Sequence, residues 1–265
     1  MNIVERLKTG LNIGAESFGL LWRHKKLIIY LGAPILLGIT FELIAYNLFF
    51  YSPLSSALFV RGLMTTLWST FGWTQQAGLL LTNMIRIFVT VYASVMLAYH
   101  TSRILQGKPA GIKASFAACM PIYKKVLAWA AIATVAFFII DKIDYLVGPS
   151  ACAGCKCLGA TASLLVRGFW ALFTVFVIPA LALETYPLKK IILNSPRVLF
   201  AVFFRYLGAI FWIGLVGLLA FTPFLLLFPK TPFFLTLVYI ALAPISFTLS
   251  TVHTIVKTRL YVAYK

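Results

Sequence analysis

Residues 174–184 read "TVFVIPALALE": an apolar run broken by Pro179 and closed by Glu184. The whole chain holds only six acidic residues against 23 basic ones, so an acid at the end of such a run is notable. Proline removes one helical hydrogen bond, here to the carbonyl of Val175, and bends its helix. The expected element is therefore a membrane span with a kinked end. The kink tips the Glu184 carboxylate toward the bundle or toward the basic segment that follows, where Lys189, Lys190 and Arg197 lie. Composition places this run in a membrane. Hydrophobic residues make up 62% of the chain and charged residues 11%, against about 25% charged in soluble domains.

On either side of this run the same pattern repeats. Six apolar stretches fall near 27–50, 84–105, 126–147, 164–184, 207–228 and 233–255, each long enough for a span of ~20 residues. The expected fold is all-α: a polytopic helical membrane bundle, one domain over 1–265, with interfacial amphipathic helices. Residues 1–26 carry Val4, Leu7, Leu11, Phe18 and Leu21 at helical spacing, which predicts a helix lying in the cytoplasmic interface with Trp22 as anchor. The first apolar stretch exceeds the h-region of a signal peptide and is expected to stay as a span. Residues 53–82, amphipathic and rich in tryptophan, read as lying along the outer interface; a seventh crossing there is the alternative. Between spans four and five, Pro187 and Pro196 predict a short amphipathic helix, a break, and a second helix capped by Asn194 or Ser195.

The net charge of +17 would suggest nucleic acid in a soluble protein. Here the bases cluster between apolar runs, so orientation and anionic lipid headgroups account for them, and no nucleic-acid partner is expected. Seventeen of the 23 bases fall at the N-terminus, in the second and fourth connections and in the tail. The other six are Arg61, Arg86, Lys142, Lys156, Arg167 and Lys230. Positive charge favours the cytoplasm, which puts both termini there.

Few residues carry chemistry. "ACAGCKCLG" (151–159) gathers Cys152, Cys155 and Cys157 in an outer connection. Thiolates at that spacing suit a metal or a redox pair, but tetrahedral zinc wants a fourth ligand that this side lacks. One local disulfide plus a spare thiol is the alternative in an oxidising compartment, and three inert cysteines the third reading. His24, His100 and His253 sit at span edges, where wet interfacial rings are the ordinary case. No nucleophile, P-loop or metalloprotease motif is present, so no enzyme and no cofactor are expected. Glu42 and Arg86 are the charges deepest in spans. At ~1.5 Å per residue both lie ~22–26 Å from the cytoplasmic edge, level enough to form a buried ion pair. Asn83, Arg86, Thr90, Ser94 and Thr101 form one polar stripe that should face protein. Pro34, Pro179, Pro223 and Pro244 recur inside spans, and Gly208, Gly214 and Gly217 permit close helix approach.

Taken together, "FGLLWRHKKLIIYLGAPIL" (18–36), "LQGKPAGIKASFAAC" (105–119), "FTVFVIPALALE" (173–184) and "TRLYVAYK" (258–265) resemble an uncharacterised bacterial family of multi-span membrane proteins, catalogued as a domain of unknown function. The resemblance implies a six-span bundle in a bacterial inner membrane, a cytoplasmic Gly-Lys-Pro loop and a short terminal aromatic helix. It implies no activity. Pro196 directly after Ser195 departs from the continuous helix the family pattern has there, and the cysteine cluster is not part of that pattern.

The expected function is that of a structural or accessory membrane protein: a scaffold, a lipid-associated subunit, or an assembly partner in a larger complex or homo-oligomer. The alternatives are a small-solute or lipid transporter built on proline-kinked helices and an outer-face thiol or metal protein.

Overall fold

A computed structural model describes residues 2–34, 36, 73–108, 111–147, 156–227 and 232–265; side chains at 73–76, 79, 141–147, 156–163, 224–227 and 232–242 are outside the description. Among the described residues the protein is all-helical, without strands. We number the helices α1 (Ile3–Arg23), α2 (Trp73–Leu105), α3 (Ile112–Cys119), α4 (Tyr123–Val147), α5 (Lys156–Thr174), α6 (Val177–Leu183), α7 (Leu188–Leu227) and α8 (Pro232–Tyr264). A short 3₁₀ turn, Lys25–Leu27, follows α1, and residues 28–34 are helical.

Four stretches are long and apolar enough to cross a membrane: Leu80–Leu105, Ile112–Ile140, Leu164–Leu183 and Leu188–Pro223. They overlap the expected spans two to five, but the second begins at Ile112 and the fourth at Leu188, inside what was expected to be cytoplasmic connections. Most of 27–50 lies outside the described residues, as do the side chains of 232–242. Residues 73–82 are helical and continuous with the rest of α2; 53–72 are outside the description.

The helices group into two compact units. One comprises Met1–Pro34, Tyr92–Tyr123 and Val175–Lys265. Its core is the packing of α1 on α7 and α8, with α6 against the same two helices. In the other, Ile35–Val91 and Lys124–Thr174, Trp129 of α4 stacks on Trp170 of α5 at 5.9 Å, and Phe137 meets the edge of Trp170.

The helix expected over residues 1–26 is α1. Of its predicted apolar stripe Leu21 is buried, Leu7, Leu11 and Phe18 are half-buried and Val4 is exposed; Gly10, Gly14 and Ser17 are buried with Leu21. The seam is built from small side chains because the backbones nearly touch. A Cβ on Gly10 would lie 2.1 Å from the carbonyl oxygen of Arg205, and one on Gly208 would lie 2.3 Å from that of Leu7. Small residues permit this approach, and close approach maximises dispersion contact. Trp22 stays exposed with Lys25 over its ring, and the outer face keeps Arg6, Lys8 and Arg23.

The expected break before Pro196 is absent. Helix α7 runs unbroken for 40 residues with Pro196 and Pro223 inside. A buried stripe explains why: Ile191, Ser195, Val198, Leu199, Val202, Tyr206 and Ala209 recur at helical spacing straight through the proline. Burying those apolar side chains gains ~1.5–3 kcal/mol each, more together than the ~3 kcal/mol an interior proline costs.

Helix α8 likewise outruns its expected span. Its 33 residues extend ~50 Å, well beyond a ~30 Å core. The expected terminal aromatic helix is the end of this same element. From Thr251 to Tyr261 it is buried on nearly every face.

Candidate functional site

Residues 174–184 form two helices, not one bent helix. Helix α5 ends at Thr174 and α6 begins at Val177. The interruption falls where Pro179 leaves the carbonyl of Val175 without its helical donor. Pro179 itself lies in the first turn of α6, where N–H groups have no intrahelical partner, so its missing N–H costs nothing. Phe176, the N-cap residue, is fully buried, and its N–H would be orphaned there. The Ser195 hydroxyl of α7 accepts it at 3.2 Å. Ser195, expected as a helix cap for its own segment, therefore caps a different helix.

Glu184 ends α6 in extended conformation. The expected partners were Lys189, Lys190 and Arg197. Of the two directions left open, the bundle or that basic segment, the carboxylate takes the first: it accepts from the Tyr261 hydroxyl at 3.0 Å on α8 and pairs with Lys265 Nζ at 2.6 Å just past its end. Lys190 lies over the Tyr186 ring at 3.8 Å. Glu184 thus fastens the end of α6 to the end of α8. Arg259 of α8 is fastened in the same way to Glu16 of α1.

Three aromatic residues and His253 form a run of ring contacts in the same unit. Phe176 lies 6.0 Å from Tyr206 and 6.3 Å from Tyr261, and Tyr206 stacks on His253 at 6.1 Å. The Tyr206 hydroxyl is 3.0 Å from His253 Nε2, so this imidazole is hydrogen-bonded within the protein rather than wet. His100 is likewise engaged: the Tyr30 hydroxyl lies 2.7 Å from its Nδ1 and the Ser115 hydroxyl 3.4 Å from the same atom. His24 is exposed at the end of α1.

Helical spacing puts Lys257 on the face of α8 shared by His253 and Tyr261, one turn from each. It is 9% exposed, and burial pushes its ammonium down to about 8. Thr251, Thr254 and Thr258 surround it in sequence, and each donates to the carbonyl four residues back. The sequence reading assigned Lys257 to orientation only, and missed Tyr206, Tyr261 and Lys265. The available signal was "TVHTIVKTRLY" (251–261), whose hydroxyl residues recur at helical spacing around Lys257.

The remaining expected site residues are placed as follows. Arg86 is half-buried on α2; Glu42 lies outside the described residues, so their pairing does too. Within the polar stripe Ser94 and Thr101 are buried, and Asn83, Arg86 and Thr90 half-buried. Cys152 and Cys155 lie outside the description, and Cys157 enters it only as backbone at the start of α5. Among the described residues, no group of three or more His, Cys, Asp or Glu could hold a metal ion.

Comparison with family models, with curated proteins and with solved structures finds no match to this chain.

Proposed function

We propose that this chain is a six-span integral membrane protein of structural or accessory type, without enzymatic activity, and that it resides in a bacterial inner membrane with both termini in the cytoplasm. The family resemblance and the split of 17 bases against six support that placement. One observation carries the accessory reading. In the most apolar window of each of the four candidate spans, only 28–39% of residues are buried within the protein. Ile132, Val135, Ile139, Leu165, Phe169 and Phe211 all face outward. Spans so thinly covered suit a surface shared with lipid and with other membrane proteins. Photo-crosslinking from Val135 and Phe169 in native membranes tests this. A protein adduct of one defined mass, recovered in stoichiometric amount after mild-detergent purification, supports it. Lipid adducts alone, on a clean monomer, overturn it.

The transporter reading is favoured by the break at Val175–Phe176, because interrupted helices build transporter sites at membrane depth. Solute flux in reconstituted vesicles, abolished by Pro179→Ala, would shift the conclusion to that reading.

A further inference from the structure

Lys257 presents an unresolved charge. It is 9% exposed, and among the described residues its ammonium has neither hydrogen bond nor ion pair. An isolated buried ammonium is strongly disfavoured unless it is paired or loses its proton. Every acid whose side chain is described is committed elsewhere. Glu5 accepts from the backbone of Asn2, Glu16 holds Arg259, and Glu184 holds Tyr261 and Lys265. The adjacent hydroxyls of Thr254 and Thr258 already donate to backbone carbonyls. Among the described side chains no acid supplies a counter-charge, and with 23 bases to six acids the chain is composed to draw anions from outside.

We propose that Lys257 anchors a binding site for a phosphoryl oxyanion, at the end of α8 just beyond its apolar run, with His253 and Tyr261 on either side. Lysine binds phosphate as a point charge and needs no second fork of donors. The lowered proton affinity of the empty site agrees with an ammonium lacking its partner. A lipid headgroup and free phosphate offer the same oxygens. The site does not depend on the accessory reading, since a chain without protein partners could hold the anion equally well.

The test uses the full chain, delipidated in detergent. Thermal unfolding and native mass spectrometry follow titration with phosphatidylglycerol against diacylglycerol of the same tails, and separately with inorganic phosphate against chloride at matched ionic strength. Wild type should bind at least one phosphoryl probe and melt higher with it. Affinity should fall about tenfold or more in Lys257→Met and be largely kept in Lys257→Arg. Unliganded Lys257→Met should be at least as heat-stable as wild type; should it fail to fold, Lys257→Gln carries the same comparison. A gain with phosphatidylglycerol alone identifies a headgroup site, and a gain with inorganic phosphate as well shows that the free anion suffices. No gain from either probe, or undiminished binding in Lys257→Met, overturns the proposal.

Discussion

Glu184 and its two partners differ in what each contributes. The carboxylate is 13% exposed and Lys265 is 45% exposed. A half-exposed ion pair is worth ~0–1 kcal/mol, because water and side-chain entropy offset most of the attraction. A hydrogen bond to a charged group in a drier setting is worth ~1.5–3 kcal/mol. Tyr261→Phe should therefore destabilise the protein in detergent more than Lys265→Met does. Equal losses in thermal unfolding, or a larger loss for Lys265→Met, would overturn this order. Lys257 gives a second expectation, one of pH. Unfolded, it titrates near ~10.4; folded and without an anion, near 8. Between those values the unfolded chain binds more protons, so stability rises with pH from about 8 to about 10. Below about 8 the penalty is fully present. Subtracting the Lys257→Met profile should isolate a rise on the order of 1 kcal/mol per pH unit in the delipidated protein. Burial and the Glu184 carboxylate push the Tyr261 phenol up, which opposes the trend only at higher pH and cancels in the difference. A flat difference between pH 8 and 10 would show that Lys257 is not held in a dry site.

Helices α1 and α7 meet backbone to backbone where they cross at Gly10 and Gly208. At the α1–α7 crossing an added methyl group meets a carbonyl oxygen on either side, and backbone cannot move aside cheaply. Gly10→Ala and Gly208→Ala should each cost ~1–3 kcal/mol, the usual penalty of overpacking, and should expose α1 to protease. Gly19 on the same helix has nothing within 4 Å. There the gain in helix propensity, ~0.5–1 kcal/mol, should make Gly19→Ala neutral or stabilising. A uniform response of all three variants would mean that the crossing is looser than described. The α5–α6 break yields a parallel expectation. Ser195→Ala leaves the buried Phe176 N–H without an acceptor, at a cost of ~1–3 kcal/mol. Hydrogen exchange at Phe176 should quicken in that variant, and unchanged protection would exclude the cap.

Orientation follows from charge, and its test must respect burial. Cys119 is 1% exposed, so its silence toward an impermeant reagent says nothing about the side it lies on. Gln106 is exposed in the same connection. With cytoplasmic termini, a reagent applied outside should label the reduced 152–157 cluster. It should reach Gln106→Cys, in a Cys119→Ala background, only after permeabilisation. The reverse pattern would invert the topology. The placement rests on where bases fall relative to apolar runs, a property of the chain as a whole that no single residue carries.

Hydrophobic composition and run length determined by themselves that this protein is helical and rich in membrane-length spans. Backbone groups in lipid must bond within their own segment, so apolar runs of that length become helices whatever their neighbours are. Two local features were legible for the same reason: Pro179 marks a place where a helix loses a bond, and Gly208 one where another helix can approach. What Pro196 does was not legible. A proline favours a helix start and costs ~3 kcal/mol inside one, and only the continuous buried stripe on α7 outweighed that preference. The partners of Glu184 were hidden likewise. Lysines two turns away are near in sequence, but α6 ends in extended backbone, and the carboxylate meets α8, 77 residues further on. The seam of α1 took in Gly10, Gly14 and Ser17 beside Leu21 of the apolar stripe, since which small residues are covered depends on the helix that arrives. Lys257 was one base among 23 until the fold buried it away from every described acid. Charge is a property of sequence, but the cost of a charge depends on the surroundings that tertiary structure creates around it.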